Sequence, residues 1–155
     1  MGAFYVPTKQ KEVDFILKNA NLKKGQVLFD LGSGDGRLIR TAVKKYKVKG
    51  IGIEINPLLI FYSKILAKIQ KLNTIEFKRE NLFRANIKEA NVIFIFLMPD
   101  TLKKLSQKFL TECQKEVLII SHGFVIENWQ KYLQKKIPHS PFPTYYYRLK
   151  LDNQA

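Results

Sequence analysis

The most constraining feature of this sequence is an apolar run that leads into a glycine-rich turn. Val27–Phe29 has the composition of a short buried strand, and Asp30 and Leu31 connect it to Gly-Ser-Gly-Asp-Gly at positions 32–36. Glycines let the backbone turn tightly and approach a ligand closely. A helix pattern with inward apolar residues follows the turn. A strand, a glycine turn and a helix N-terminus in this order are typical of ligand-binding turns in α/β sheets.

Strand and helix patterns alternate along the rest of the chain. The predicted strands are 27–29, 48–53, 74–78, 91–97, 117–120, 129–137 and 144–151, the last two joined by a proline-rich turn. This alternation predicts an α/β fold, a Rossmann-like doubly wound seven-stranded sheet closed by a C-terminal antiparallel hairpin. The length of 155 residues fits one domain, residues 1–155.

Several helical details also follow from the pattern. A first helix is predicted over 12–20, and Asp100 is a plausible N-cap for a later one. Pro57 suits the first turn of another helix, which places five apolar residues on one side: Leu58, Tyr62, Ile65, Leu66 and Ile69. Cys113 falls on the buried face of a helix and is interpreted as a small core residue.

The composition narrows the class of protein. With 27 Lys and Arg against 13 Asp and Glu, the net charge is +14, which suggests nucleic acid, membrane phosphates or an acidic protein as partner, or only solubility. A single cysteine excludes a disulfide framework and a multi-cysteine metal site, and we expect no metal. The longest apolar run, 92–99, is too short to span a membrane, and no signal peptide opens the chain. We therefore expect a cytoplasmic protein.

The acid at the end of the second strand indicates what the turn binds. Glu54 stands where a carboxylate accepts both ribose hydroxyls of an adenosine. Arg37 occupies the position of the third glycine in the dinucleotide fingerprint, and the Gly-Lys-Ser/Thr of a P-loop is absent. Asp30 and Asp35 would repel a pyrophosphate, but they suit the amino group and sulfonium of S-adenosylmethionine. The charges therefore favour S-adenosylmethionine over NAD.

The segment Asp-Leu-Gly-Ser-Gly-Asp-Gly at 30–36 resembles the first motif of class I S-adenosylmethionine-dependent methyltransferases. Glu54 matches their second-strand acid, Glu80-Asn81-Leu82 their adenine-side position, and Leu97-Met98-Pro99-Asp100 their fourth-strand motif. Asn81 replaces the commoner Asp, so it would bond the adenine edge without charge. The resemblance implies S-adenosylmethionine as cofactor and these cofactor-binding residues: Thr8, Asp30, Gly32, Gly34, Asp35, Glu54, Ile55, Asn81, Leu82 and Leu97.

A closer resemblance rests on three more segments. Tyr-Val-Pro-Thr at 5–8, Gly-Ile-Glu-Ile-Asn-Pro at 52–57 and Ser-His-Gly-Phe at 121–124, near Trp129, look like the small seven-strand protein-lysine methyltransferases, archaeal and mitochondrial. This implies a protein substrate with a target lysine, acidic or membrane-associated, and an N-terminal segment, 1–11, that covers cofactor and substrate. The implied catalytic residues are Tyr5, Pro99 and His122. Mitochondrial members often carry a hydrophobic segment before this point, so membrane association is expected only if such an anchor has been removed.

Two alternatives stay open. The charge suggests an RNA or rRNA methyltransferase, although the Asn/Asp-Pro-Pro-Tyr/Phe motif of enzymes that methylate base amines is missing. A non-catalytic module that binds S-adenosylmethionine is the other alternative. For the lysine enzyme, an aromatic slot would be built from Phe4, Tyr5, Phe124, Trp129 and the tyrosines at 145–147. His122 would be a proton acceptor or an anchor for a covering segment, and no role is expected for His139.

Overall fold

The structure is a computed structural model that describes residues 6–139 and 141–150. The helices in this part of the chain are α1 (Gln10–Lys18), α2 (Arg37–Tyr46), α3 (Pro57–Ile69) and α4 (Pro99–Glu112). The strands are β1 (Val27–Leu31), β2 (Lys49–Glu54), β3 (Ile75–Arg79), β4 (Val92–Ile95), β5 (Leu118–His122), β6 (Leu133–Ile137) and β7 (Thr144–Arg148). No helix among these residues is long and apolar enough to cross a bilayer.

The strands form one seven-stranded sheet in the order β3-β2-β1-β4-β5-β7-β6. The first five strands of the chain pair in parallel, and β7 lies antiparallel to both β5 and β6. The predicted doubly wound sheet with a C-terminal antiparallel hairpin is therefore confirmed. The chain runs outward from β1 to β3 and then returns to the other side of β1, so the strand order reverses between β1 and β4, where such sheets bind ligands.

Apolar side chains cover both faces of the sheet. One core contains the inward residues of α1, α2 and α3, and the other lies under α4 and the segments around 82–90 and 124–132. All four residues of β4 are buried, as expected for a parallel strand covered on both faces. Gly50 and Gly52 let α2 and β3 approach β2 closely, because a Cβ at Gly50 would lie 2.7 Å from Ile39 and one at Gly52 would lie 2.6 Å from Phe77.

Helix α3 exposes most of the apolar side that the sequence pattern picks out. Its buried residues are Ile60, Ser63 and Ala67. Leu66 is half-buried, but the other members of that side and Phe61 face outward: Leu58 is 77% exposed, Phe61 66%, Tyr62 50%, Ile65 40% and Ile69 69%. The helix is apolar around most of its circumference, so periodicity alone does not identify the side that meets the sheet.

Two smaller predictions are wrong. Helix α4 begins at Pro99, with Met98 as N-cap, so Asp100 lies in the first turn and is not the cap. Trp129 does not belong to a strand: it precedes a short 3₁₀ turn, Gln130–Tyr132, and is 3% exposed. Its ring packs edge-on to that of Phe109 of α4, with centroids 6.1 Å apart. Cys113 is buried at the C-cap of α4, as the core interpretation requires.

Candidate functional site

The glycine turn lies at the carboxyl end of β1, where the strand order reverses. Gly32 has a φ of +86°, which only glycine adopts without strain, and it is exposed. Among the described residues, the only atom within 4 Å of a Cβ at this position is Leu97 Cδ2, at 3.6 Å. Gly32, after β1, and Leu97, after β4, thus lie side by side, and both are predicted cofactor-binding residues. The open space above Gly32 leaves room for a ligand at the backbone.

Glu54 closes the turn from the end of β2. Its Oε2 accepts a hydrogen bond from the Gly34 N–H at 3.0 Å, and its Oε1 accepts from Ile55 N–H at 2.9 Å and Asn56 N–H at 3.0 Å. The carboxylate is therefore held in place by backbone donors before any ligand arrives. A carboxylate offers about four acceptor positions, so one position on Oε2 is left for a hydroxyl donor.

Asp30 is the buried acid of the site, at 4% exposure. Burial, with the nearby negative charges of Glu54 and Asp35, raises the pKa of Asp30 to about 8. A cation placed beside a buried carboxyl group with a raised pKa stabilises the charged form of that group. The acidic surroundings fit a cationic ligand and do not fit a pyrophosphate.

The Asp35 carboxylate is held in place by the side chain of Arg37. The Arg37 guanidinium donates to both carboxylate oxygens, with Nη2 2.6 Å from Oδ2 and Nε 3.1 Å from Oδ1. Burial opposes the charged form of Asp35, but the hydrogen bonds and charge of Arg37 keep its pKa below the usual value. Arg37 Nη1 also donates to the Thr8 carbonyl at 3.0 Å. Asp35 and Thr8 are thereby joined through one side chain, which ties the segment before α1 to the glycine turn.

The remaining cofactor-side candidates lie at the rim of the site. Ile55 is 59% exposed, and Leu82 is half-buried against the core under α4. Asn81 is exposed, and its Oδ1 accepts from Phe83 N–H at 2.9 Å. The oxygen of Asn81 therefore shapes the local turn and leaves its amide N–H groups to donate. An amide donor matches an acceptor nitrogen on an adenine edge.

Pro99 is the first residue of α4 and is exposed, directly after the carboxyl end of β4. Met98 beside it is 63% exposed, and Val125 is 52% exposed in the loop after β5. These apolar side chains follow neighbouring parallel strands at the same edge of the sheet as the glycine turn. Tyr5, the catalytic candidate in the N-terminal segment, lies outside the described residues, and so does Phe4.

His122 is fully buried at the end of β5. Its Nδ1 lies 2.9 Å from Thr144 Oγ1, which is also 2.9 Å from His139 Nε2. Its Nε2 lies 3.6 Å from Glu12 Oε1 of α1, and Phe96 lies edge-on to its ring. Burial and the charge of His139 lower the pKa of His122 to about 4. A ring without exposed surface cannot take a proton from an incoming amine, so of the two roles considered only the anchoring role fits this geometry.

Two of the three C-terminal tyrosines are core residues. Tyr146 and Tyr147 are each 1% exposed and belong to the cores on opposite faces of the sheet, as strand alternation predicts. Tyr146 donates to the Ile16 carbonyl at 2.8 Å, and the Tyr147 hydroxyl accepts from Ile126 N–H at 2.9 Å. Together with buried Trp129, they are packing residues, so these three side chains do not line an open slot. Tyr145 is half-buried, and the slot as a whole stays a prediction. Half-buried Phe124 is the described candidate still near the site.

Sequence reasoning missed the polar cluster behind the site. Glu12, His139 and Thr144 surround His122, and Glu12 Oε1 and His122 Nε2 are buried without a hydrogen-bond partner in the described structure. No local motif joins these residues, because they come from α1, the proline loop and β7. Thr144 of β7 lies in register with His122 of β5, a pairing that the structure shows and that no pattern in the sequence marks. The described residues contain no group of three or more His, Cys, Asp and Glu that could hold a metal.

Comparison with known proteins agrees with this geometry. The family model described as ANTKMT methyltransferase domain matches residues 30–133, from Asp30 to the start of β6. A protein-lysine N-methyltransferase of Saccharolobus islandicus is 36% identical over 129 residues, which cover 81% of this chain and 79% of that protein. The ATP synthase c-subunit lysine N-methyltransferase of Xenopus laevis is 30% identical over 126 residues, 81% of this chain and 55% of its own length. The chain thus spans about half the length of the vertebrate relatives.

A solved structure is similar over nearly the whole chain. It is that of an RNA methyltransferase from Salinibacter ruber in complex with S-adenosylhomocysteine, with a TM-score of 0.91, 30% identity and 95% coverage of both chains. Structures more distant in sequence share the fold, and several of them also hold S-adenosylhomocysteine. The acidic pocket of Asp30 and Glu54 and the open turn at Gly32 fit this cofactor. On the family match and these relatives, the chain belongs to the ANTKMT-type, S-adenosylmethionine-dependent methyltransferases, a family that includes protein-lysine N-methyltransferases.

Proposed function

We propose that this protein transfers a methyl group from S-adenosylmethionine to the side-chain amine of a lysine in a protein substrate. The observation that carries the proposal is the match to the archaeal protein-lysine N-methyltransferase, which extends over most of both chains. The family model and the vertebrate lysine methyltransferases support the same substrate class. The cofactor would be held by the glycine turn, by Glu54 on the ribose and by Asp30 near the cationic groups.

When bound, S-adenosylmethionine supplies a methyl group already activated by the sulfonium, so the amine needs orientation more than covalent help. The protein must place the nitrogen in line with the methyl carbon and the sulfur. It must also receive the lysine uncharged, and an apolar surround lowers the pKa of an amine from its usual ~10.4. Met98, Val125 and Phe124 at the carboxyl edge are suited to this, with Pro99 between them and the glycine turn. His122 would act from behind, as a positioning residue that holds α1 against β5.

Methylation with labelled cofactor tests the proposal. The protein is incubated with radiolabelled S-adenosylmethionine and a panel of proteins, and the labelled product is digested and analysed for methylated lysine. Asp30→Asn serves as the control that keeps the side-chain shape but cannot become negatively charged beside the cationic cofactor. Label on lysine that disappears with this variant supports the proposal. Label confined to RNA or small molecules would overturn it.

A second candidate function rests on the Salinibacter structure, because that protein is an RNA methyltransferase of similar length and the same fold. The net charge of +14 suits nucleic acid. This candidate predicts RNA binding that weakens steeply with salt, and label in RNA. After β4, Asp100 follows Pro99, so the Asn/Asp-Pro-Pro-Tyr/Phe motif of enzymes that methylate base amines is missing. Its absence favours the lysine substrate. The cytoplasmic location expected from the sequence stays a prediction.

A further inference from the structure

Helix α3 presents an exposed apolar stripe that the cofactor site does not use. Leu58, Phe61, Tyr62, Ile65 and Ile69 follow a spacing of three and four residues, and each has between 40% and 77% of its surface exposed. At 100° per residue, these positions fall within an arc of about 100° along a helix about 20 Å long. Apolar side chains scattered singly on a surface need no explanation, but a continuous ridge of five marks an interaction surface.

Lysines flank one side of this stripe. Lys64 and Lys68 project from α3, and Lys71 follows its end. These three line an open groove of about 520 Å³ between α3 and β3, together with Asn73 and Glu76. The only acid in the groove, Glu76, has its carboxylate 4.0 Å from the Lys78 ammonium. Residues 55–75 contain three lysines and no acidic residue, so α3 itself carries only positive charge, and the groove beside it has three lysines against Glu76.

We infer that the outer face of α3 binds the surface of an anionic phospholipid bilayer. An amphipathic helix with large apolar residues beside lysines lies in the bilayer interface, with the apolar side chains below the headgroups and the ammonium groups among the phosphates. The stripe is a convex ridge, which a fluid bilayer accommodates, whereas a protein partner would need a matching groove. A second copy of the chain fits poorly, because pairing two α3 helices would bring Lys64 and Lys68 of both copies together at a net charge of +14 each.

The position of α3 gives the contact a direction. The helix begins at Pro57, directly after the Glu54 loop, and Leu58, the most exposed member of the stripe, stands at this end of the helix. On its inward face, Ser63 Oγ donates to the Gly34 carbonyl at 3.3 Å. A bilayer in contact with α3 therefore lies next to the edge of the sheet where the parallel strands end and the cofactor site is located. On the proposed function, this arrangement would present lysines of a protein close to the membrane surface.

Vesicle flotation with the full chain tests the inference. The protein is mixed with phosphatidylcholine vesicles, with or without phosphatidylserine, and the bound fraction is measured against lipid concentration. We expect binding only with phosphatidylserine, weakened by salt. Phe61→Ser with Ile69→Ser should reduce it about tenfold or more for each side chain. Lys64→Gln with Lys68→Gln should reduce it roughly fivefold for each lysine.

Matched controls keep the test specific. Leu133→Ser removes a comparable exposed apolar residue from β6, and Lys103→Gln with Lys104→Gln removes two lysines from α4 on the opposite face of the sheet. These variants should bind vesicles as the native chain does, and every variant should keep its affinity for S-adenosylhomocysteine, which shows that the fold is intact. The inference is overturned if anionic vesicles are not bound, or if the α3 and control variants bind alike. Self-association in sedimentation that is lost with Phe61→Ser and Ile69→Ser, without vesicle binding, would assign the stripe to a second copy instead.

Discussion

The Glu54 carboxylate offers a sharp test of the cofactor site, because three backbone N–H groups already fix its orientation. In Glu54→Gln, the remaining oxygen can still accept from Ile55 and Asn56. The new NH₂ group, however, faces the Gly34 N–H and cannot accept from a ribose hydroxyl. A hydrogen bond to a charged acceptor contributes roughly 1.5–3 kcal/mol, which corresponds to about a 10- to 150-fold weaker affinity. Calorimetric titration with S-adenosylhomocysteine measures this loss.

Glu89→Gln is the matched control, because Glu89 is an exposed acid in the loop before β4. It should bind S-adenosylhomocysteine like the native protein. Thermal unfolding without ligand then shows how far Glu54→Gln disturbs the turn itself. Unchanged ligand affinity in Glu54→Gln would refute the assignment of Glu54 to the ribose, because removal of the charge and of one acceptor would then have no effect on the ligand.

The charged groups around the site carry three further predictions. The pKa of Asp30 is about 8 without ligand, and a cation favours its charged form, so S-adenosylmethionine binding near pH 7 should release a proton. Calorimetry in buffers of different ionisation enthalpy should detect this release, and Asp30→Asn should abolish it. The pKa of His122 is about 4 when folded and the usual value is 6.5, so the unfolded chain binds more protons between these values. The free energy of unfolding should therefore fall by about 3 kcal/mol as the pH drops through this window, and an equal pH dependence in His122→Asn would contradict the assignment. Arg37→Lys loses the two-pronged contact with Asp35 and the contact from Nη1 to the Thr8 carbonyl, so the backbone amides of Val6, Thr8 and Lys9 should exchange hydrogen faster; unchanged exchange would show that Arg37 does not hold this segment.

The sheet and the cofactor side of the site could be predicted because their signals are local. The glycine turn and its flanking acids, Asp30 and Glu54, lie within two adjacent strand ends. A parallel sheet then brings these ends to one edge. The C-terminal antiparallel hairpin could be predicted equally well, because a proline-rich turn separates its two strand patterns.

The side of α3 that meets the sheet could not be predicted in the same way. Leu58, Phe61 and Ile69 are as apolar as the buried Ile60, and the buried positions Ser63 and Ala67 are small or polar. The inward side includes the contact with the glycine turn, where buried Ser63 donates to the Gly34 carbonyl. A hydrophobicity pattern reports the amount of apolar surface, but it does not report which residues are small enough for a tight contact.

The surroundings of His122 were hidden for a different reason. Glu12, His139 and Thr144 lie far from His122 along the chain, and only the packing of α1 and the hairpin onto β5 brings them together. Single-sequence reasoning finds a histidine at a strand end and assigns it the role that such an edge favours. Its burial depends on the covering segments, which no pattern near His122 describes.

The Thr144 hydroxyl between the two imidazole rings has only one hydrogen, and this fixes a direction. Thr144 lies 2.9 Å from both His122 Nδ1 and His139 Nε2, so at most one ring can accept from it and at least one ring must donate to it. With His122 Nε2–H turned toward Glu12, the order runs from the His139 N–H to Thr144 and from the Thr144 O–H to His122 Nδ1. In this arrangement, moving the His122 proton to Nδ1 would remove the acceptor of the Thr144 O–H, so the tautomer of His122 is linked to the orientation of the Thr144 hydroxyl.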